Sequence, residues 1–322
     1  MAQLTYRDIE HAAKRISGHV RPVAVTPAQP TTTADGASYE LFFALEFMQH
    51  TGSFKARGAQ NFLQAHLESG SLPDAGVTIA SGGNAGLACA WAAGEQKVPA
   101  TVFLPETAPA VKVNRLRGYG ARVELVGQEY AEAAAACERF AADSGALVSH
   151  AYDHPLIAAG AGTVLPEILT QVPDLDTVVV AVGGGGLFSG VAAAAAQHGV
   201  RVVAVEPEHC RALHAGLAAG APVDVPVDSV AADSLGARRA SAMAVAAARS
   251  EHVDAVLVAD ADIIRARREL WENHRMAVEY AAGAALAGVR AASAYVPSPG
   301  EKVAVILCGA NTDVADLSAG RP

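Results

Sequence analysis

A lysine among small residues is the first candidate for chemistry. The 322 residues include 5 lysines against 19 arginines, and lysine is the side chain that forms imines with carbonyl compounds. Lys55 follows an aromatic residue in the segment H-T-G-S-F-K-A-R-G-A. This setting predicts a buried amine, which has a depressed pKa and acts as a nucleophile. We expect Arg57 to be a structural ion-pair partner and the other lysines to be surface charges: Lys14, Lys97, Lys112 and Lys302.

Two glycine-rich turns are the second candidate. S-G-G-N-A-G at 81–86 follows the apolar run V-T-I-A, and G-G-G-G at 183–186 follows T-V-V-V-A-V. Glycines at the start of a helix leave backbone N–H groups open to a bound anion. Neither turn matches G-x-G-x-x-G or a P-loop. Two anions, such as a cofactor phosphate and a substrate carboxylate, would explain both turns, although a tight packing turn explains either one equally well.

The elements that must position these residues alternate along the chain. Apolar or β-branched runs predict strands at 77–80, 100–104, 121–126, 146–149, 177–182, 201–205, 255–258 and 302–307. Helices are predicted at 84–94, 109–117, 129–142, 189–198 and 261–274. Such alternation is typical of βαβ units in mostly parallel sheets, which bind ligands at the carboxyl ends of their strands. We predict an α/β protein with a small domain, residues 71–149, inserted into a large domain of residues 1–70 and 150–322.

Composition and charge exclude several classes of protein. A chain with 51% hydrophobic and 18% charged residues is not a disordered one, and a net charge of −9 argues against a nucleic-acid partner. Four scattered cysteines and the lack of an apolar N-terminal segment predict a reduced, cytoplasmic protein. Residues 177–196 carry no charge, but their four consecutive glycines predict a strand, a turn and a helix instead of a membrane span.

Four motifs, in order, carry a family resemblance. The segments T-G-S-F-K-A-R-G-A, S-G-G-N-A-G, G-G-G-G-L and C-G-A-N resemble the fold-type II pyridoxal-phosphate enzymes of the serine/threonine dehydratase family, over about residues 20–313. The resemblance implies two domains with open, twisted, mostly parallel sheets flanked by helices, as in the tryptophan synthase β-subunit. It also implies pyridoxal 5′-phosphate as cofactor, an amino acid as the small-molecule substrate and a homodimer, while charge and composition predict no nucleic-acid or membrane partner.

The resemblance assigns a role to each matching residue. Lys55 would form the Schiff base with the cofactor, and Phe54 would pack beside the cofactor ring. Asn84 would hydrogen-bond the ring hydroxyl, Glu279 would lie near the ring, and Cys308 would face the pyridine nitrogen. The cofactor phosphate would bind the backbone N–H groups of Gly183, Gly184, Gly185, Gly186 and Leu187, and the substrate carboxylate would bind Ser81, Gly82, Gly83 and Asn84.

The residue at the pyridine nitrogen influences the expected reaction. A carboxylate there would keep the ring protonated and strongly electron-withdrawing, whereas the thiol of Cys308 cannot. Weak delocalisation of a carbanion at Cα favours prompt loss of a β-substituent. We therefore expect an ammonia-lyase that removes water and ammonia from L-threonine, L-serine or a related β-hydroxy amino acid and yields a 2-oxo acid. In this prediction the amine of Lys55 removes the Cα proton.

Departures from the family pattern leave alternatives open. Racemases of the family place a second serine at the position of Gly82, which carries no proton, so racemisation is disfavoured. Cysteine-synthase-like replacement enzymes usually read S-x-K-D-R and G-T-G-G-T, and a non-catalytic cofactor carrier would not need Lys55. The family's divalent-metal site begins at Glu206, but its aspartate is replaced by Ala212, and we expect no metal. Ala161 replaces a glutamine of the substrate pocket, so an unusual β-hydroxy amino acid is an alternative substrate.

Overall fold

Two sheets flanked by helices form the chain in the computed structural model, which describes residues 4–318 except 29–30, 33–35, 37 and 291–293. The strands are β1 (Val25–Pro27), β2 (Thr31–Thr32), β3 (Ser38–Ala44), β4 (Val77–Ala80), β5 (Ala100–Leu104), β6 (Arg122–Leu125), β7 (Leu147–Val148), β8 (Thr177–Ala181), β9 (Arg201–Pro207), β10 (Val253–Val258) and β11 (Lys302–Ile306). The helices are α1 (Tyr6–Ile16), α2 (Lys55–Glu68), α3 (Asn84–Glu95), α4 (Ala110–Gly118), α5 (Tyr130–Ser144), α6 (Pro155–Gly162), α7 (Val164–Gln171), α8 (Gly186–His198), α9 (Ala212–Ala219), α10 (Ala232–Leu235), α11 (Ala242–Ala247), α12 (Asp260–His274), α13 (Tyr280–Arg290) and α14 (Ala315–Ser318).

The larger sheet has the strand order β1-β3-β11-β8-β9-β10, and β2 also pairs with β3. The five strands β3, β11, β8, β9 and β10 are parallel, while β1 and β2 run antiparallel to β3. Val305 of β11 lies between Phe43 of β3 and Val179 of β8, and all three side chains are fully buried. Such burial is expected for a parallel sheet that helices cover on both faces.

The smaller sheet has the strand order β6-β5-β4-β7 and is entirely parallel. Its strands come from one continuous stretch of the chain, residues 77–148, which lies inside the predicted small domain. The hydrophobic cluster of this sheet also includes Ala56, Phe62 and Leu63 of α2. Because α2 precedes residue 71 and still shares this cluster, the domain bounds 71–149 stay a prediction.

The predicted α/β architecture is confirmed, and the predicted strands and helices between residues 77 and 307 agree with the structure within a few residues. The start of α8 is the largest difference: the helix begins at Gly186 instead of residue 189, because the turn before it uses only the first three glycines. Residues 177–196 divide into β8 and α8 as predicted. Among the described residues, no helix combines the length and apolarity needed to cross a membrane.

Candidate functional site

Lys55 is the first residue of α2 and lies beside the carboxyl end of β11. The N–H of Phe54 donates to the carbonyl oxygen of Cys308, just after β11, over 3.0 Å. Lys55 Nζ donates to the carbonyl oxygen of Ala151 over 2.6 Å and lies 4.8 Å from the centre of the Phe54 ring. The lysine is therefore at the edge of the parallel sheet where α/β proteins bind ligands.

The amine of Lys55 is unusually acidic for a lysine. Burial lowers the pKa of Lys55 to about 8, while the acidic groups of Cys308 and Glu279 oppose the shift. The residue as a whole is half-buried. With such a pKa about one tenth of the amine is neutral at pH 7, a far larger fraction than for an ordinary lysine. The neutral amine can act as a nucleophile and as a base.

A buried ion-pair cluster fixes α2 two residues beyond the lysine. The Arg57 side chain is fully buried and donates to both carboxylate oxygens of Glu46, at 2.7 and 3.1 Å, and of Glu167, at 2.7 and 2.8 Å. It also donates to Thr163 Oγ1 and to the Arg21 carbonyl oxygen. Removing one partner of a buried ion pair is strongly destabilising, so this cluster ties separate segments to α2. The predicted structural role of Arg57 is confirmed.

The glycine run 183–186 joins β8 to α8 and has little room for side chains. A Cβ atom at Gly184 would lie 2.3 Å from the Tyr152 ring, and one at Gly185 would lie 2.3 Å from the Cβ of Ala244. Gly185 also has a φ of +92°, which glycine adopts without strain. No side chain caps the first N–H groups of α8, so these groups form a position suited to an anion.

The lysine and the glycine run share one wall of the site. Tyr152 packs against Gly184, and its hydroxyl donates to the carbonyl oxygen of Arg239 over 3.1 Å, which fixes the ring. Tyr152 follows Ala151, the acceptor of the Lys55 hydrogen bond. The loop 151–152 therefore connects the amine to the anion position. The sequence pattern does not single out Tyr152, because its contacts lie far away along the chain.

The second turn, residues 81–86, joins β4 to α3 and is less enclosed. A Cβ atom at Gly86 would lie 1.8 Å from the carbonyl oxygen of Ser81, so the turn itself requires this glycine. The nearest atoms to a Cβ at Gly82 belong to the side chain of Leu104, at 2.9 Å, and a Cβ at Gly83 would meet nothing within 4 Å. The turn therefore leaves space for a ligand beside Gly83.

A chain of side-chain hydrogen bonds runs through Asn84. Its Nδ2 donates to both carboxylate oxygens of Glu279, at 2.9 and 3.0 Å, and its Oδ1 accepts from Asn311 Nδ2 at 2.7 Å. Asn311 Nδ2 also donates to the Thr51 carbonyl oxygen, and the Asn311 N–H donates to Glu279 Oε1. Burial raises the pKa of Glu279, and the N–H groups of Asn84 and Asn311 oppose this by stabilising the carboxylate. Asn311 was predicted only as part of a motif.

The predicted site residues come from both sheets. Cys308, which follows β11, is 4% exposed, and burial raises the pKa of its thiol, so the thiol is neutral. Cys308 and Glu279 are both electrostatic neighbours of Lys55, and Asn84 joins them from the smaller sheet through Glu279. Leu187 is buried in the first turn of α8. The structure thus brings the lysine, the thiol, the carboxylate and the asparagine together.

The carboxylate that begins the family's metal site has another use in this chain. Glu206 is 1% exposed and accepts from the N–H groups of Leu213, at 2.7 Å, and His214, at 2.8 Å, in the first turn of α9. Burial raises its pKa to about 7, and the two N–H groups oppose the shift. Both oxygens face the positive end of a helix, so the position suits a cation poorly. The described residues contain no cluster that could hold a metal ion, and a metal-free site stays a prediction.

Comparison with known proteins adds a family to this geometry. The model of the family described as pyridoxal-phosphate dependent enzyme matches residues 16–309. An L-threonine ammonia-lyase of Geobacter sulfurreducens is 34% identical over 318 residues, which cover 98% of this chain and 77% of the relative. A human serine dehydratase-like protein is 34% identical over 287 residues, 85% of this chain and 86% of the relative. The crystal structure of a pyridoxal 5′-phosphate-dependent aspartate racemase has a TM-score of 0.87 and 30% identity, covering 98% of both chains.

The chain therefore belongs to the pyridoxal-phosphate-dependent enzymes of fold type II. Within this class it groups with the serine/threonine dehydratases, which its named relatives represent. Its cofactor is pyridoxal 5′-phosphate, and the residues present fit this group. Lys55 offers an amine of lowered pKa for the aldehyde, and the uncapped start of α8 offers N–H donors for the phosphate.

Proposed function

We propose that this enzyme is an ammonia-lyase that removes water and ammonia from a β-hydroxy amino acid, such as L-threonine or L-serine, to give a 2-oxo acid. The observation that carries the proposal is Lys55, whose amine has a pKa lowered by burial to about 8 and lies at the edge of the larger sheet. Relatives named L-threonine ammonia-lyase and serine dehydratase-like support the reaction class.

Lys55 has two tasks in this proposal. Its Nζ would hold the cofactor covalently, and as a free neutral amine it would accept the Cα proton of the substrate. Pyridoxal phosphate, when bound, supplies an electron-accepting ring conjugated to the substrate nitrogen. The carbonyl oxygen of Ala151, 2.6 Å from Nζ, keeps the amine in place while it is free.

The two glycine turns bind the two anions in this proposal. The N–H groups of Gly183–Leu187 hold the cofactor phosphate, supported by the uncapped start of α8. Residues 81–84 hold the substrate carboxylate, supported by the space beside Gly83. Both anions are then bound by backbone N–H groups, which carry no titratable charge.

Four side chains surround the cofactor ring in this proposal. Phe54 would pack beside the ring, and Cys308 would face the pyridine nitrogen. Asn84 would donate one Nδ2 hydrogen to the ring hydroxyl and keep the other on Glu279. Because burial keeps the Cys308 thiol neutral, the ring nitrogen has no charged partner there. A weaker electron sink favours departure of the β-hydroxyl over reactions that need a long-lived carbanion.

A racemase is the second candidate, favoured by the similarity to the aspartate racemase structure. Racemisation needs a group that returns a proton to the opposite face of Cα, and Gly82 has no side chain that could do so. A β-replacement enzyme remains the third candidate, because it shares the first half of the reaction with an ammonia-lyase.

The deciding assay separates the three reactions by their products. The holoenzyme is incubated with L-serine, L-threonine, their D-forms and longer β-hydroxy amino acids, and 2-oxo acid and ammonia are measured. Equal amounts of both products from an L-amino acid support the ammonia-lyase. A substituted amino acid formed from an added thiol, without 2-oxo acid, supports replacement, and an inverted amino acid without 2-oxo acid supports a racemase.

Lys55→Ala tests the central residue directly. The variant should lose the visible absorption of the bound cofactor, and its activity should fall by about 1000-fold or more. Lys14→Ala, which changes an exposed lysine on α1, is the matched control and should keep both. A Lys55→Ala protein that retains the absorption band would contradict the assignment.

A further inference from the structure

Arg115 lies on α4, next to the smaller sheet, and its side chain reaches a loop of the larger one. Its Nη2 donates to Asn311 Oδ1 over 2.6 Å. Asn311 follows β11, and the two residues are 196 positions apart. We propose that Arg115 is a positioning residue of the cofactor site, which holds the side-chain amides of Asn311 and Asn84 in a single orientation. The proposal rests on the role proposed above for Asn84 at the cofactor ring.

Hydrogen bonds link Arg115 to Glu279 through the side chains of Asn311 and Asn84, and each of them donates in the direction of Glu279. A guanidinium group can only donate, and a carboxylate can only accept. Asn311 therefore presents Oδ1 to Arg115 and Nδ2 to Asn84, and Asn84 in turn presents Oδ1 to Asn311 and Nδ2 to Glu279. Reversing either amide would bring like groups together on both of its sides. The orientation of Asn84 is thus set from both ends of the chain.

Arg115 is exposed, but its acceptor Asn311 is half-buried and bonded to part-buried groups, unlike the exposed partner of Lys112. Hydrogen bonds from a guanidinium are stronger than those between neutral groups. Without Arg115, Asn311 Oδ1 would lose its donor, and only the carbonyl oxygen of Thr51 and the Asn84 contact would hold the amide. The effect should reach the cofactor through Asn84, which donates to both oxygens of Glu279.

A second contact of α4 provides a control. Lys112, one turn before Arg115, pairs with Asp233 over 3.2 Å, and both side chains are well exposed. This pair also connects a helix beside the smaller sheet, α4, to a helix of the larger domain, α10. It takes no part in the hydrogen bonds that pass through Asn84. Exposed ion pairs contribute little. Lys112→Ala therefore removes a contact between the sheets and leaves the orientation of the amides unchanged.

The test measures cofactor binding and activity in two variants of Arg115, Arg115→Ala and Arg115→Lys. Two controls are measured in the same way: Lys112→Ala, and Arg117→Ala, which changes an exposed residue on the same helix. Arg115→Ala should raise the dissociation constant of pyridoxal phosphate for the full-length protein about fivefold. It should also shift the pH midpoint of the bound cofactor's absorption. Arg115→Lys, which keeps a charged donor, should recover most of both losses, and the two controls should stay within about twofold of the parent.

Two results would overturn the proposal. One is an Arg115→Ala protein that binds and titrates the cofactor like Lys112→Ala and Arg117→Ala. The other is a loss of thermal stability in Arg115→Ala with unchanged cofactor affinity and absorption, which would make Arg115 a packing residue only. The cofactor titration does not depend on which amino acid reacts. A failure of the ammonia-lyase assay would therefore leave this test intact.

Discussion

The two glycine turns have the same order of elements and different surroundings. Each joins a parallel strand to a helix, β8 to α8 and β4 to α3. Protein atoms fill the space beside Gly184 and Gly185, whereas the space beside Gly83 is free. An enclosed turn suits an anion that stays bound through many turnovers, and an open turn suits one that enters and leaves. The same local sequence signal thus occurs in two different packing environments, and we propose that this difference separates the cofactor phosphate from the substrate carboxylate.

The largest expected effect comes from a methyl group in the enclosed turn. Gly184→Ala would place a Cβ atom 2.3 Å from the ring of Tyr152, which is held by Arg239. The backbone must shift, and we expect the dissociation constant of pyridoxal phosphate to rise about 100-fold, measured by titration of the full-length protein. Gly83→Ala is the matched control in the open turn and should change the KM of the amino acid instead. Equal losses of cofactor affinity in both variants would remove the distinction between the turns.

The pH dependence of cofactor attachment tests the lowered pKa of Lys55, the residue that is linked to both turns. Lys55 contacts the loop 151–152 beside the glycine run, and the charge of Glu279, which holds Asn84, acts on its pKa. Attachment needs the neutral amine, so its rate should rise about tenfold per pH unit below 8 and level off above it. Stopped-flow absorption measures the rate.

Glu279→Gln tests, in the same rate measurement, whether the charge of Glu279 acts on the pKa of Lys55. The carboxylate of Glu279 raises the pKa of Lys55, so its removal should move the midpoint of the rate profile to lower pH. A rate that keeps rising towards pH 10 in the parent protein would show that Lys55 has the pKa of an ordinary lysine. That result would contradict the conclusion that burial lowers its pKa.

A hydroxyl group added to the open turn should be tolerated. A Cβ atom at Gly82 would lie 2.9 Å from a terminal methyl group of the buried Leu104 side chain, and no backbone atom is among its near neighbours, so a small shift of that methyl group makes room. Gly82→Ser should therefore keep cofactor affinity within about threefold and should form more of the D-amino acid from an L-substrate, measured by chiral chromatography. Gly82→Ala adds the same Cβ atom without the hydroxyl and should show no such gain. A cofactor loss as large as in Gly184→Ala would mean that this turn is enclosed as well.

The smallest expected effect concerns the helix cap behind the enclosed turn. Ser241 Oγ accepts the N–H of Ala244 at 3.1 Å at the start of α11, and the Ser241 N–H donates to the Gly184 carbonyl oxygen at 3.0 Å. Ser241→Ala removes the cap and keeps the backbone contact. The free energy of unfolding should fall by about 1 kcal/mol, measured by denaturant unfolding, with nearly unchanged cofactor affinity. A large loss of cofactor affinity would show that the Ser241 hydroxyl, and not its backbone N–H, supports the turn at Gly184.

The sequence predicts the elements of the smaller sheet better than the surroundings of the lysine. Short apolar runs determine β4, which follows Gly76 and precedes the turn 81–86, and β5, which lies between Pro99 and Pro105, and both are predicted within a residue. Helix α2 is not predicted, because its buried residues include Arg57, Gln60 and Asn61, which break the apolar periodicity of an amphipathic helix. Their burial depends on partners such as Glu167, 110 residues away. A local pattern carries no information about such a partner.

The functional site also combines residues that local motifs reveal with contacts between distant parts of the chain. The four motifs identify Lys55, the two turns and Cys308, since each is a contiguous segment with a chemical reason for its residues. The link between Arg115 and Asn311 spans 196 residues and appears only in three dimensions. The homodimer and the cytoplasmic location, which concern partners and surroundings outside the chain, stay predictions.

The ion-pair cluster around Arg57 also sets an order of events during synthesis. Its acceptors come from Arg21, Glu46, Thr163 and Glu167, so more than half of the 322 residues must be made before the set is complete. Until then a buried guanidinium would lack two of its partners, which is costly. The ribosome delivers the N-terminal part first. Lys55 is therefore translated long before its helix can be fixed in place, and Gly183–Leu187, Glu279 and Cys308 follow only after Glu167.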